Sequence, residues 1–201
     1  MNPISYWQRL KVAFQYVMPQ IYMTQAAGWL AKQKWGAVTH FVIKAFAKKY
    51  NIDMSIAEKE KFSDYASFNE FFIRPLIEYA RQINQNPTAL CCPADGRVSE
   101  CGHIDDDRLL QAKGHFFSLN DLLAEDKDLT ETFKNGEFVT TYLSPRDYHR
   151  VHMPCDGTLR KMIYVPGDLF AVNPFLAKHV PNLFALNELV ICFCETEFGT
   201  I

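Results

Sequence analysis

Apolar residues recur at helical spacing along the first fifty residues. Trp7, Leu10 and Phe14 are one helical turn apart, and Pro19 interrupts this pattern. A second helical pattern covers residues 24–34. A third pattern places an apolar stripe beside lysines, with Val38, Phe41, Val42, Ala45 and Phe46 as its apolar positions. These patterns predict three amphipathic helices.

The hydrophobic pattern changes at about residue 87, where short runs bounded by turn residues begin. These runs predict strands at Gly96–Ile104, Glu137–Leu143, Gly157–Val165 and Leu189–Glu195. Residues 51–66 are polar and indicate a connector. The sequence therefore predicts an α+β fold, with N-terminal amphipathic helices followed by a mainly antiparallel β domain with short helices. We place a helical, basic region at residues 1–86 and a β-rich domain at residues 87–201.

Two short helix starts are marked by serines. Ser67 with Glu70 matches a capping box, in which each residue satisfies a free backbone N–H of the other. Ser118 begins a second such segment. A further serine, Ser144, is followed by Pro145 and Asp147, and this order predicts a single capped helical turn.

Two segments of the form Pro-x-Asp-Gly each precede a predicted strand. They are Pro93–Gly96 and Pro154–Gly157. Either they are two ordinary Asp-Gly turns, or they belong to two related β units in one sheet domain. The sequence leaves both interpretations open.

Charge is distributed unevenly along the chain. Residues 1–50 carry +7 with no Asp or Glu, and since the whole chain has a net charge of −2, the remainder carries −9. No uncharged run is apolar enough to predict a spanning helix. The basic and aromatic first region predicts peripheral binding to an anionic membrane surface. The alternative is that these helices only pack on the β domain. A nucleic acid could also be attracted by the charge, but the aromatic, apolar character argues against it.

The residues predicted to contact the membrane are the tryptophans and the basic residues of this region. They are Trp7, Arg9, Lys11, Trp29, Lys32, Lys34, Trp35, Lys44, Lys48 and Lys49.

The length and composition indicate one sizeable core. Of the 201 residues 48% are hydrophobic and 22% are charged, which is ordinary for a globular protein. The six cysteines form no C-x-x-C pair, so they predict reduced, mostly buried thiols rather than a zinc framework.

The segment from Tyr148 to Pro154 contains two histidines within four residues. Because imidazole exchanges protons near neutral pH, His149 and His152 are candidates for proton transfer. If the turn predicted at Ser144 is followed by an extended segment, the imidazoles of His149 and His152 can lie near one pocket and take part in different chemical steps. A metal-dependent hydrolase is a rival interpretation, but His-x-x-His has no clear further ligands here. Asp95, at a turn before a strand, is a candidate to orient one imidazole, as in a Ser-His-Asp arrangement.

Five runs occur in an order that resembles the phosphatidylserine decarboxylases of the bacterial membrane-associated type. They are Phe68–Leu76, Pro93–Gly96, Gln111–His115, Thr141–Pro154 and Pro166–Asn173. The resemblance covers essentially the whole chain.

The resemblance implies a proenzyme that cuts itself at a Gly-Ser bond and converts the new N-terminal serine to a pyruvoyl group. Asp95 and His152 match the residues of self-cleavage. His149 matches a histidine that serves the conversion of phosphatidylserine to phosphatidylethanolamine and CO2. The implied substrate is a phospholipid, and the implied location is the cytoplasmic side of the cell membrane.

One feature departs from the family pattern, because the 201 residues contain no Gly-Ser dipeptide. We therefore expect a truncated fragment, inactive alone, that lacks both the pyruvoyl-forming serine and the C-terminal α-chain segment. An open sheet edge would then favour association, including that of identical copies. The alternative function is a non-catalytic peripheral membrane-binding module.

Overall fold

The three predicted N-terminal helices are present. The structure is a computed structural model that describes residues 5–112 and 115–201. The long helices are α1 (Tyr6–Val17), α2 (Gln20–Ala31) and α3 (Ala37–Tyr50). Ser5 caps α1 through a reciprocal capping box with Gln8. No helix in the described ranges is long and apolar enough to cross a membrane.

The short helices are N-capped mainly by side chains. They are α4 (Phe68–Phe72), α5 (Leu119–Leu122), α6 (Lys127–Phe133), α7 (Pro174–Ala177) and α8 (Leu183–Leu186), with a 3-10 turn at Phe62–Asp64. The predicted caps are confirmed, because Ser67 and Ser118 each accept a hydrogen bond from the backbone N–H three residues later. The carboxylate of Glu70 reaches back to Ala66 N–H, one residue before the position that a strict capping box would use.

The four predicted strands are confirmed within about one residue at each end, as β1 (Arg97–His103), β4 (Glu137–Tyr142), β5 (Gly157–Val165) and β6 (Leu189–Thr196). β1 pairs with β4, and β5 pairs antiparallel with β6, which also pairs with the short β7 (Gly199–Thr200). The sequence did not predict the antiparallel pair β2 (Arg108–Ala112) and β3 (His115–Ser118). Its apolar residues are adjacent rather than alternating, so the period-2 signal is absent. Lys113 and Gly114, which belong to one of the family-like runs, lie outside the described residues.

The chain forms two compact units, each made from discontinuous segments. Unit 1 contains Met1–Thr24, Val98–Thr140 and Gly157–Ile201, and unit 2 contains Gln25–Arg97 and Thr141–Asp156. The boundary predicted between residues 86 and 87 follows chain order and stays a prediction.

Each unit has its own apolar core. In unit 1, one cluster joins the β2–β3 pair to β6 through residues such as Leu109, Phe117 and Phe193. A second cluster surrounds Val180. In unit 2, α3 packs on α4 around four buried side chains, Ile43, Ala47, Tyr65 and Phe71.

The cysteines are free thiols, and the prediction that most are buried is wrong. Only Cys194 is buried, whereas Cys92, Cys101 and Cys192 are exposed. Cys192 is exposed because it lies between two core-facing neighbours on β6, Ile191 and Phe193, and successive side chains of a strand point to opposite faces. Alternation does not account for Cys194, which is buried where the pairing of β5 and β6 shifts in register.

Candidate active site

The two Pro-x-Asp-Gly segments pair with each other through their backbones. The carbonyl of Pro154 accepts from Cys91 N–H at 2.8 Å, and the carbonyl of Pro93 accepts from His152 N–H at 2.8 Å. Each proline carbonyl therefore bonds the residue two positions before the other proline. This symmetric exchange favours two related β units over two independent turns, although β1 and β5 lie in separate sheets. It also fixes the turn of Asp95 beside the segment that carries His152.

Gly96 allows a second close approach in the same region. A Cβ atom at this position would lie 2.5 Å from the carbonyl oxygen of Tyr142, at the end of β4. Only glycine permits this contact without a shift of the backbone. β1 therefore begins directly against the strand that leads into the histidine segment.

The predicted helical turn at Ser144 is wrong. The N–H and hydroxyl of Ser144 both donate to the carboxylate of Asp147, at 2.6 and 2.7 Å, and Asp147 N–H donates to the Ser144 carbonyl. Because the aspartate takes both donors, it closes a four-residue turn, and the chain continues without helical structure. His149 and His152 follow in this irregular segment.

Asp95 is held by Arg81. The guanidinium Nε donates to Oδ1 at 2.8 Å, and Nη2 pairs with Oδ2. This two-point ion pair is the main cause that keeps the pKa of Asp95 below its ordinary value, and the backbone N–H of Tyr148 adds to it. Asp95 is therefore an anion at neutral pH.

His152 contacts the side chain of Tyr148. Its Nε2 lies 3.2 Å from the tyrosine hydroxyl, and the two rings stack with their centroids 5.6 Å apart. Tyr148 is buried, whereas His152 is exposed. No hydrogen bond joins Asp95 to His152 directly in the described part of the chain. Tyr148 lies near both, since its backbone N–H contributes to the low pKa of Asp95 and its hydroxyl meets Nε2 of His152.

His149 has different partners from His152. Its ring stacks on Phe72, with centroids 4.2 Å apart, and its Nε2 lies 3.1 Å from the carbonyl oxygen of Ser144. A carbonyl only accepts, so Nε2 donates, and in the neutral ring Nδ1 is the nitrogen without a proton. Burial lowers the pKa of His149, and the nearby charge of Arg74 acts in the same direction. His149 is therefore neutral at pH 7.

Four residues of this region were not singled out by the sequence. Tyr148 lies inside the histidine segment, and a search for hydrogen-bonding neighbours of the histidines would have found it. Phe72 and Arg74 lie inside a family-like run without a stated role. Arg81 carries no local signal, because it is 14 residues from Asp95 in a polar stretch.

The residues predicted to contact the membrane lie on the surface of their own units. The three tryptophans Trp7, Trp29 and Trp35 are 72%, 60% and 51% exposed. On α3 the buried face is Thr39, Ile43 and Ala47. Most of the predicted stripe is exposed, with Phe41 at 71%, whereas Phe46 packs against the core of unit 2. The basic residues are also exposed, namely Arg9, Lys11, Lys32, Lys34, Lys44, Lys48 and Lys49.

Within residues 5–112 and 115–201, no three side chains of His, Cys, Asp or Glu come together as metal ligands would.

Comparison with known proteins gives a consistent result. The family model described as phosphatidylserine decarboxylase matches residues 68–201, and a second model, described as PSD, matches residues 10–51. The chain is 86% identical over 201 residues to the phosphatidylserine decarboxylase proenzyme of Haemophilus influenzae strain Rd, covering all of this chain and 69% of that protein. It is 77% identical over 196 residues to the proenzyme of Pasteurella multocida, covering 98% of this chain and 66% of that protein. These matches favour an enzyme over a non-catalytic membrane-binding module. The chain therefore belongs to the phosphatidylserine decarboxylase family.

Proposed function

We propose that this chain supplies the proton-transfer residues and the membrane-facing helices of a phosphatidylserine decarboxylase, which releases CO2 from phosphatidylserine and leaves phosphatidylethanolamine. The observation that carries the proposal is the separation of the two histidines. The ring of His152 meets the hydroxyl of Tyr148, whose backbone N–H contributes to the low pKa of Asp95, whereas the ring of His149 contacts Phe72 and the Ser144 carbonyl. Two steps that each need a proton carrier can then use different rings.

The first step is self-cleavage of the precursor. The exposed ring of His152 suits a base that takes the proton of a serine hydroxyl as the oxygen attacks the preceding carbonyl. The negative charge of Asp95, two residues after the Pro93 carbonyl that accepts from His152 N–H, favours the imidazolium that results. No Gly-Ser dipeptide occurs in the 201 residues, so another part of the precursor would provide the serine.

The residues present fit a pyruvoyl group, because its formation needs a base and an anion of this kind. When bound, the pyruvoyl group supplies an electron sink for the electrons left by departing CO2. His149 would exchange the proton of this second step through Nδ1. Since burial lowers its pKa, the protonated ring is a stronger acid than an exposed histidine and returns its proton readily.

The lipid substrate requires contact with a bilayer. The exposed apolar stripe of α3 lies beside exposed lysines, and this combination suits peripheral binding at the cytoplasmic face of the cell membrane. Unit 2 also contains a cavity of about 420 Å³ with a largely apolar lining that includes Leu30, Trp35, Val42 and Phe46. Such a lining suits an acyl chain.

The test uses the full-length proenzyme carrying these residues. We expect His152→Ala and Asp95→Ala to block formation of the two-chain product, because they remove the base and its counter-charge. His149→Ala should cleave normally but fail to decarboxylate. Gels report cleavage, and release of labelled CO2 reports the reaction.

The matched control is His103→Ala, because His103 is an exposed histidine of unit 1 whose contact is with Glu137. It should behave as the unmodified protein in both assays. Normal two-chain product from His152→Ala would contradict the assignment.

A further inference from the structure

Three consecutive residues at the end of α4 contact the loop that carries His149. The ring of Phe72 stacks on that of His149. The carbonyl of Ile73 accepts from Arg150 Nε at 2.9 Å. The third contact is from Arg74 Nη2 to the carbonyl of Arg146, at 3.3 Å. We call residues 72–74 the strap and residues 144–150 the histidine loop.

The strap is fixed at its N-terminal side. Ser67 caps α4, and Phe71, immediately before the strap, is fully buried in the core of unit 2. Phe72 also stacks on Phe68, with centroids 6.0 Å apart, so the ring that touches His149 has a neighbour on the same helix. A side chain packed in this way loses little further entropy when it holds a partner.

The strap is fixed at its C-terminal side as well. The carbonyl of Pro75 accepts from Glu58 N–H, and Ile77 N–H donates to the carbonyl of Ile56. Backbone pairing therefore holds the chain directly after Arg74. The strap is a rigid support on which the histidine loop rests.

The contacts leave His149 with one available nitrogen. Phe72 covers a ring face, and the Ser144 carbonyl engages Nε2. In the described part of the chain no hydrogen bond is made by Nδ1. The charged groups that act on the ring are Asp147, which raises its pKa, and Arg74, which lowers it. The carboxylate of Asp147 already accepts both donors of Ser144.

Arg74 is unusual because it is a buried cation with few partners. It is 3% exposed, and its Nε and Nη1 have no hydrogen-bond partner in the described part of the chain. Its guanidinium lies 5.3 Å from the ring centroid of Phe71. A buried charge with incomplete pairing is costly to the fold, so stability alone does not account for it.

We propose that Phe72 and Arg74 are positioning residues for His149, which hold its imidazole as the neutral tautomer protonated on Nε2 and leave Nδ1 for proton exchange. This inference rests on the proposed role of His149 in decarboxylation. The strap lies in one of the family-like runs, but none of its residues is proposed to transfer a proton. Its proposed role is to support His149.

The test compares Phe72→Leu with Phe72→Tyr in the full-length proenzyme. Leucine removes the stacked ring but keeps an apolar side chain, and tyrosine keeps the ring. We expect Phe72→Leu to cleave itself normally, since His152 and Asp95 do not contact Phe72. Its kcat for decarboxylation should fall by about 10- to 100-fold, because a loose catalytic group is misplaced. Phe72→Tyr should restore the activity.

A second readout does not depend on activity. With 15N-labelled histidine, NMR reports the tautomer and the titration of His149. In Phe72→Leu the titration should move towards higher pH and the Nε2–H tautomer should lose its dominance. Arg74→Gln should move the titration in the same direction. Phe72→Met offers a similar volume without a ring if Phe72→Leu does not accumulate.

The matched control is Phe175→Leu in unit 1. Phe175 also contacts a histidine ring, that of His179, with centroids 4.4 Å apart. This variant should leave the pH profile of decarboxylation unchanged.

The outcomes separate the two claims. The role of the strap would be overturned if Phe72→Leu kept the wild-type tautomer of His149 and the wild-type pH profile of decarboxylation. It would also be overturned if Phe175→Leu shifted that pH profile as much as Phe72→Leu does. In either case the proposed function of His149 would stand. Full decarboxylation by His149→Ala would remove the proposed function and the strap together.

Discussion

Tyr148 is a neighbour of two candidate residues, Asp95 and His152, that no hydrogen bond joins in the described part of the chain. Its backbone N–H contributes to the low pKa of Asp95, and its hydroxyl meets Nε2 of His152. Burial of the ring holds this hydroxyl in place. The tyrosine hydroxyl is therefore the group through which the site holds the ring of His152.

The first prediction concerns this hydroxyl. Tyr148→Phe keeps the ring and the backbone but removes the hydrogen-bond partner of the His152 ring. We expect self-cleavage of the full-length proenzyme to slow by up to about tenfold, the equivalent of one lost hydrogen bond. A time course of the two-chain product measures this rate.

The control for this prediction is Tyr164→Phe. The hydroxyl of Tyr164 bonds Glu188 on the surface of unit 1. Equal cleavage rates in Tyr148→Phe and the unmodified protein would remove Tyr148 from the mechanism.

At the scale of elements, α3 uses its two faces differently. One face packs on α4, and the other leaves Val38, Phe41 and Val42 exposed beside three lysines. A helix that only served a core would bury its larger apolar side chains. The exposed stripe therefore supports a surface role for α3 in addition to its structural one.

The second prediction follows from the lysines of α3. Changing Lys44, Lys48 and Lys49 together to Gln should weaken binding to anionic vesicles by up to about 1 kcal/mol for each charge. The difference should shrink as salt is added, because ions screen surface charges. Flotation with phosphatidylglycerol vesicles at low and high salt measures it.

A matched triple variant tests whether position or total charge matters. Lys61, Lys127 and Lys178 are exposed lysines outside the first fifty residues. Their change to Gln removes the same charge and should leave vesicle binding nearly unchanged. Equal loss in the two triple variants would indicate only a net-charge effect.

For the whole molecule, the ion pair between Arg81 and Asp95 makes stability depend on pH. The folded pKa of Asp95 is lowered, so the unfolded chain binds the proton more readily. The stabilisation is complete above the unfolded pKa, at about pH 5 and higher, and is lost as pH falls through the folded value. Partial exposure of both side chains reduces its size by solvent screening.

The third prediction states this dependence for Arg81→Gln. We expect its free energy of unfolding to fall by about 1 kcal/mol at pH 7 and to differ less from that of the unmodified protein at pH 3. Urea unfolding at the two pH values measures both differences. Arg160→Gln, which breaks the more exposed pair with Glu195, should have a smaller effect. A pH-independent difference for Arg81→Gln would mean that Arg81 acts through packing alone.

Local sequence signals accounted for most of the elements. The caps at Ser67 and Ser118 were predicted because a capped turn involves residues only three positions apart. The turn at Ser144 was predicted as helical because a serine at a helix start is expected to accept through its hydroxyl, whereas here the hydroxyl donates to Asp147. The β2–β3 pair was missed because its strands lack alternation.

The sequence by itself determined the family, the α+β order of elements, the basic first region and the candidate residues Asp95, His149 and His152. These follow from local spacing and from ordered runs, which need no knowledge of distant contacts. Only the tertiary structure decided which groups meet. Arg81 reaches Asp95 across 14 residues, and Phe72 reaches His149 across a much longer separation. Such pairings depend on how the backbone closes its loops. Packing, rather than neighbouring residues, therefore decided the partners of each candidate, the ionisation of Asp95 and the tautomer of His149.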